Sequence, residues 1–283
     1  MMTLYVINLD RDVRRLEQVS LQLDGLGLPF ERIAAVDGRE VSESDFQHFQ
    51  QSRPRQNKRW LRGQMGCFLS HYRAWEKIAA GTQPFGVVFE DDIYLSGDVG
   101  RYVTHSDWIP EGTDIIRLEP STNRMLLARQ PVIQLGGRVF YPVKSPAWCE
   151  GAYILSQRAA RQLIELPVSV HQPADAMLFS FQESVIARKL RILQCSPAPC
   201  IQDKFRREGY LGLGSNIEVR QRGDTSYIRT LRSGSYHELA QIFWRTVRGY
   251  RRIGFLAKDA DYHSNRREAQ NSALSSKVNS VAE

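Results

Sequence analysis

Apolar and polar positions along the first third of the chain alternate between two periods. LYVINL (4–9) is a nearly continuous apolar run of strand length. After Asp12, which can cap a helix, Val13, Leu16, Val19, Leu23 and Leu26 recur at helical spacing until Gly25 and Gly27 close the segment. PFERIAAV (29–36) predicts a second strand, stopped by the turn dipeptide Asp37-Gly38. A strand-helix-strand opening predicts an α/β fold whose sheet is parallel and covered by helices.

Residues 39–62 are polar and irregular, with a short helix expected from Ser42. GQMGCFLSHYRAWEKIAAG predicts a helix from about Gly66 to Ala80, ended by Gly81, and FGVVFE follows as a strand. Further strands are expected at 114–119, 138–143, 152–156 and 191–195, with helices after Ser156 and from Pro173. SPAPCIQD closes this unit, so residues 1–205 are read as one domain. A basic, helix-prone extension, 206–263, follows, and the polar tail 264–283 has the composition of a disordered segment.

Composition narrows the partners. The 283 residues are 42% hydrophobic and 24% charged, an ordinary globular balance, and no apolar run approaches the ~20 residues needed to span a bilayer. The formal net charge of +7 calls for a negative partner: nucleotide phosphates, an anionic membrane surface or nucleic acid. MMTLYVINLDRD has no basic stretch before its apolar run, so it reads as a strand rather than a signal peptide. The four cysteines form no CxxC pair, which suits reduced thiols in a cytoplasmic protein.

One stretch carries chemistry. In FGVVFEDDIYL an apolar strand runs into Glu90, Asp91 and Asp92. Crowded carboxylates repel and are costly to desolvate, so they need a cation, hydrogen-bond donors or open water. The carboxyl end of a parallel strand is where such sheets bind ligands, and a hard dication held to phosphate oxygens would relieve the repulsion. Extended backbone puts Glu90 and Asp92 on one side and Asp91 on the other. The bland alternative is a solvated loop whose acids cap the next element.

INLDRDVRR, FERIAAVDG, GCFLSHYRAW and VVFEDD, in this order and spacing, resemble glycosyltransferase family 25, the bacterial lipopolysaccharide and lipooligosaccharide glycosyltransferases related to collagen galactosyltransferases. AYILS, QPADAML and PAPCIQD extend the likeness to about residue 203. The resemblance implies a GT-A-like, Rossmann-like mixed sheet, mostly parallel and covered by helices. It also implies a nucleotide-sugar donor, usually UDP-galactose, and inverting transfer to a sugar hydroxyl. On that reading Asp92 holds Mn²⁺ or Mg²⁺ against the diphosphate, and Glu90 and Asp91 serve the nucleotide. It places Ser70 and His71 by the donor pocket, although a histidine without a visible partner is as readily structural. Three departures stand out: Gln64 where the family often has an acid, no threonine before AYILS, and the basic C-terminal region outside the likeness.

Inverting transfer needs a base for the acceptor hydroxyl and neutralisation of the departing diphosphate. Asp175, placed by Pro173 in the first turn of a helix, is the leading candidate for base or second metal ligand, simple capping being the alternative. Glu150 is the alternative base, with Glu183 and Asp203 behind it. Arg14 and Arg15 occupy a first turn where the macrodipole disfavours cations. Arg14 is therefore assigned to the donor, a solvated or Asp12-paired arginine being the alternative. Asn8 could bond the nucleotide or shape the turn. Trp148 could stack on the acceptor ring, and Arg59, in the basic cluster 53–62, could meet acceptor phosphates.

Segment 236–258 mixes apolar and basic residues at helical spacing and is expected to attach the protein peripherally to an anionic membrane holding a lipid-linked oligosaccharide acceptor. A nucleotidyltransferase or phosphohydrolase would also use paired carboxylates, but no P-loop or histidine-rich cluster supports it. A non-catalytic basic module binding membrane or nucleic acid leaves EDD and QPADAML unexplained, so nucleic acid is not an expected partner.

Overall fold

The computed structural model describes residues 1–51, 59–205 and 249–257. In chain order the elements are β1 (Thr3–Asn8), α1 (Val13–Gly25), β2 (Glu31–Ala34), α2 (Glu43–Gln50), α3 (Arg62–Ala80) and β3 (Phe85–Glu90). Next come β4 (Ile93–Leu95), α4 (Gly100–Val103), β5 (Ile115–Arg117), β6 (Met125–Leu126), β7 (Ile133–Leu135) and β8 (Arg138–Pro142). The last are β9 (Ala152–Ser156), α5 (Gln157–Ile164), α6 (Ala174–Phe179), β10 (Ile192–Ser196), β11 (Cys200–Gln202) and β12 (Tyr250–Arg251).

Eight strands form one sheet in the order β2-β1-β3-β9-β5-β10-β8-β7. β1 runs parallel to β2 and β3, and β5 parallel to β10, while β9 and β8 run against their neighbours. Most strands thus share a direction, and the expected mixed, mostly parallel α/β sheet is what forms.

Side-chain alternation on these strands builds two cores. Val88, Tyr5, Tyr153 and Ile115 face α3 and α5, packing with Phe68, Trp75 and Leu163. Val87, Phe89, Val6 and Ile154 face α1, packing with Val19 and Leu23. The carboxyl ends of β1, β2, β3 and β5 therefore lie on one edge, together with the start of antiparallel β9. That edge holds the site.

Three expectations change. α3 starts earlier than Gly66, because the Gln64 Oε1 accepts from the Leu61 backbone N–H at 3.2 Å and caps the first turn. Val13 is exposed, and the buried face of α1 is Arg15, Val19, Gln22 and Leu23. The single helix expected over 236–258 fails where it can be seen. Its residues 236–248 and 258 lie outside the described residues, but Tyr250–Arg251 pairs with Met125–Leu126 as a strand. Gly249 enters with φ 88°, a conformation that ends helices, and Ile253 is buried in the core. Ala198 N–H then donates to the Gly254 carbonyl at 2.8 Å, so this strap belongs to the same unit as residues 1–205.

Candidate active site

The shared edge opens into a cleft of about 600 Å³ lined by Asn8, Arg15, Cys67, Ser70, His71, Glu90, Asp91, Asp92, Trp148, Glu150, Asp175, Gln202 and Lys204, among others. This is a usual size for a small-molecule site.

The three acids separate as strand alternation requires. Asp91 turns toward α1, where Asn8 Nδ2 donates to its Oδ2 at 2.7 Å and Arg15 Nη1 to its Oδ1 at 2.8 Å. Glu90 and Asp92 share the other side and one donor. Gln202 Nε2, on β11, donates to Glu90 Oε2 at 2.5 Å and to Asp92 Oδ1 at 3.3 Å. Burial and the neighbouring Glu90 charge push the Asp92 carboxyl up to about 7, against the pull of Arg15 and Lys204. Burial would also raise Glu90, but the hydrogen bond from His71 and the surrounding positive charge, Lys204 and Arg15 included, outweigh it and hold Glu90 below the usual carboxylate range.

A second chain of contacts supports Glu90 from α3. Trp75 Nε1–H donates to Tyr153 Oη at 2.9 Å, Tyr153 Oη meets His71 Nδ1 at 2.9 Å, and His71 Nε2 lies 3.4 Å from Glu90 Oε1. Trp75 can only donate, so the Tyr153 hydroxyl is free to give its proton to Nδ1, which leaves Nε2–H for Glu90. α3 approaches this closely because Gly66 packs on the turn after β2. A Cβ there would lie 2.6 Å from the Val36 carbonyl and 2.7 Å from the Gly38 nitrogen.

Trp148, Cys149 and Glu150 stand on a loop held from beneath. Arg117 is fully buried; its Nη1 and Nη2 donate to the Cys149 and Trp148 carbonyls at 2.9 and 2.8 Å, and its guanidinium sits 4.1 Å above the Phe179 ring. Between Trp148 and Glu150, Cys149 has φ 76°, a strained value for a side chain with a Cβ. Burial, then the Asp175 charge, raises Glu150 well above its ordinary range, while the Cys67 thiol donates to it at 3.2 Å. Burial also raises Asp175, opposed by the Ala176 backbone N–H bonded to its Oδ1 at 2.7 Å. Behind them, burial drives Glu119 up to about 8. Its Oε1 accepts from Gly151 N–H at 2.5 Å, and Glu119 Oε2 and Gln202 Oε1 are buried without partners among the described residues.

The expected residues converge on the cleft except for Arg14, Arg59 and the two reserve bases, Glu183 and Asp203, none of which lines it. Arg14 is exposed and outside it. Arg15 takes the inward position, because it shares a helix face with Val19 and Leu23 whereas Arg14 is turned by about 100°. Arg59 also points outward, since the adjacent Trp60 is the residue buried against Phe49 and Phe68. Three further residues line the cleft with their polar atoms already engaged. Ser70 Oγ donates to the Gly66 carbonyl and accepts from Val36 N–H, joining α3 to the end of β2. Asn8 and Asp91 hold each other. Gln202, Lys204, Cys67 and Arg15 are cleft residues the sequence reading did not assign, although Arg15's spacing from Val19 and Leu23 was a usable signal.

A twisted α/β sheet with acids gathered at the carboxyl edge is the architecture of a ligand-binding α/β domain. The chain belongs to glycosyltransferase family 25: residues 1–178 match the profile described as "Glycosyltransferase family 25 (LPS biosynthesis protein)". It is 27% identical over 179 residues to the lacto-N-neotetraose biosynthesis glycosyltransferase LgtE of Neisseria meningitidis, covering 59% of this chain and 63% of that one. It is 29% identical over 178 residues to the lipooligosaccharide biosynthesis protein lex-1 of Haemophilus influenzae, covering 59% and 58%. The match to the lipooligosaccharide biosynthesis protein lic2B of Haemophilus influenzae is 26% identical over 227 residues, 77% and 82% of the two chains. The chain spans about six-tenths of the length of the first two relatives. Among the described residues no helix is long and apolar enough to cross a membrane.

Proposed function

We propose that this protein transfers a hexose from a nucleotide-sugar donor to a sugar hydroxyl of a lipooligosaccharide, lipopolysaccharide or related glycan, with inversion at the anomeric carbon. UDP-galactose is the first choice of donor and UDP-glucose the alternative. Family membership and the activities named for the relatives support the reaction class. The observation that carries the site assignment is the pairing of Glu90 and Asp92 on one donor, Gln202, at the carboxyl end of a buried strand.

The residues present fit Mn²⁺ or Mg²⁺. Asp92 and Glu90 Oε2 offer only hard oxygen atoms, and Asp92 is a carboxylate crowded enough to gain from a cation. When bound, such an ion would supply charge neutralisation for the diphosphate. The chain adds Lys204 beside the same two acids. Arg15 and Asn8 hold Asp91, and His71 orients Glu90.

On the acceptor side, burial raises both Glu150 and Asp175, Glu150 well above its ordinary range. Asp175, whose Oδ1 also accepts from the Ala176 N–H, is the residue assigned to take the proton of the attacking hydroxyl. Trp148, on the loop anchored by Arg117, is offered as the platform for the acceptor ring. Attachment to an anionic membrane is proposed for the basic sequence before Gly249, on its composition alone. Charge-reversed variants of that sequence should lose sedimentation with anionic liposomes.

Incubating the protein with a panel of UDP-sugars and truncated lipooligosaccharide acceptors tests the reaction. A single favoured UDP-hexose and a product of inverted anomeric configuration by NMR are expected. Retained configuration, or neither transfer nor donor hydrolysis with any member, would overturn the reading.

A further inference from the structure

Glu90 faces two different environments. Its Oε2 meets the amide of Gln202, whereas its Oε1 turns toward α3. There, Cys67 and His71 lie one helical turn apart on the same face of α3. Glu150 reaches in from the loop before β9. Cys67 Sγ is 3.2 Å from Glu150 Oε1 and 3.9 Å from Glu90 Oε1, and His71 Nε2 is 3.4 Å from Glu90 Oε1. One ligand atom from each of the four residues lies within 4.8 Å of all the others.

A tetrahedral ion with bonds of about 2.0–2.3 Å needs ligand atoms about 3.3–3.8 Å apart, so the cluster needs only a small contraction to close. Its donors are sulfur, imidazole nitrogen and two carboxylate oxygens, a set suited to Zn²⁺. Such a set is poorly suited to the hard ions that fit the oxygen-only side of Glu90. The second shell is also present: with an ion on Nε2 the ring proton moves to Nδ1, where Tyr153 Oη accepts it.

We propose that Cys67, His71, Glu90 and Glu150 form a second cation site, selective for Zn²⁺ and similar thiophilic dications, whose occupancy arrests transfer by engaging Glu90 and Glu150. On binding, the metal–sulfur bond forms as the Cys67 S–H bond breaks, a proton held on the Glu150 carboxyl leaves likewise, and the released protons pass to water, with no change of oxidation state. The arrest rests on the glycosyltransferase reading above; the binding does not.

Co²⁺ is the probe, titrated into the full-length, metal-stripped protein. A thiolate-to-cobalt charge-transfer band and intense tetrahedral ligand-field bands are expected, saturating at one equivalent and displaced by Zn²⁺. Cys67→Ser should abolish the charge-transfer band, while Cys149→Ser should retain it. His71→Asn should weaken Co²⁺ binding at least tenfold, with near-ultraviolet circular dichroism verifying that each variant is folded. A weak octahedral spectrum, or a charge-transfer band that survives Cys67→Ser, overturns the site. In transfer assays with saturating Mn²⁺, Zn²⁺ should inhibit, and Cys67→Ser should need at least tenfold more Zn²⁺ relative to its own uninhibited rate. A bound ion that leaves transfer untouched overturns the arrest. A protein inactive under every condition counts against the functional reading instead, with the Co²⁺ spectrum still deciding the site.

Discussion

Arg15 Nη1 donates to Asp91 Oδ1 at 2.8 Å, joining the first turn of α1 to the acid at the centre of the EDD stretch. Both residues are buried, at 9% and 6% exposure. Removing one member of a buried pair strands the other, so Arg15→Met should destabilise the protein by about 3 kcal/mol or more. Arg14→Met, one position away and exposed, should stay within about 0.5 kcal/mol. Urea denaturation of both variants checks the assignment, and equal losses would contradict it.

Arg117 is the support of the 148–150 loop. A lysine cannot reach both carbonyls that the guanidinium holds, so Arg117→Lys should cost about 2–4 kcal/mol of stability. It should also lower turnover more than tenfold while leaving UDP affinity unchanged, since the residues proposed for the donor, Glu90, Asp91 and Asp92, are not on this loop. An unchanged melting temperature would show that the strained Cys149 backbone is held by something else.

Asp92 carries a stability signature with a defined sign. Its folded-state value is about 7, whereas an unfolded aspartate titrates near 4. The native state therefore holds the proton longer, and the stability contributed by this group falls as pH rises from about 4 to about 7, remaining lower above that. Asp92→Asn should raise the stability of the metal-free protein by on the order of 1–2 kcal/mol at pH 8, and change it little at pH 4.5. Transfer should be lost in the same variant, a trade of activity for stability. Thermal melts at the two pH values decide; destabilisation at both would contradict the burial account.

Gly66 offers a test of opposite sign to helix propensity. In an open helix, glycine to alanine gains about 1 kcal/mol. Here the added Cβ would meet the backbone of Val36 and Gly38, so Gly66→Ala should instead cost about 1–3 kcal/mol. By tilting α3 it should also weaken the support of Glu90 by His71. A stabilised variant would mean that α3 and β2 are less tightly joined than described.

Much of this arrangement is legible in the residues. Glu90, Asp91 and Asp92 announce themselves because a buried strand does not end in three acids without partners. Strand alternation alone separates Asp91 from the other two, as the shared contact of Gln202 with Glu90 and Asp92 reflects. Gln202, although inside PAPCIQD, and Lys204 are not legible as partners of the acids, since they reach them from more than a hundred residues away and no local periodicity links the two stretches. The macrodipole argument marks Arg14 and Arg15 equally, and only the phase of the apolar stripe distinguishes them. Segment 236–258 misleads because its periodicity is helical while Gly249 and the burial of Ile253 impose an extended path on its end.

The central claim is that Asp92 and Glu90 complete a cation site for a nucleotide diphosphate. Titration calorimetry with UDP, in the presence and absence of Mn²⁺, measures it most directly on the intact chain and on Asp92→Ala. Binding that requires Mn²⁺ in the wild type, and disappears in a folded Asp92→Ala variant, is the predicted result. UDP affinity indifferent to Mn²⁺, or unchanged by the substitution, would contradict it.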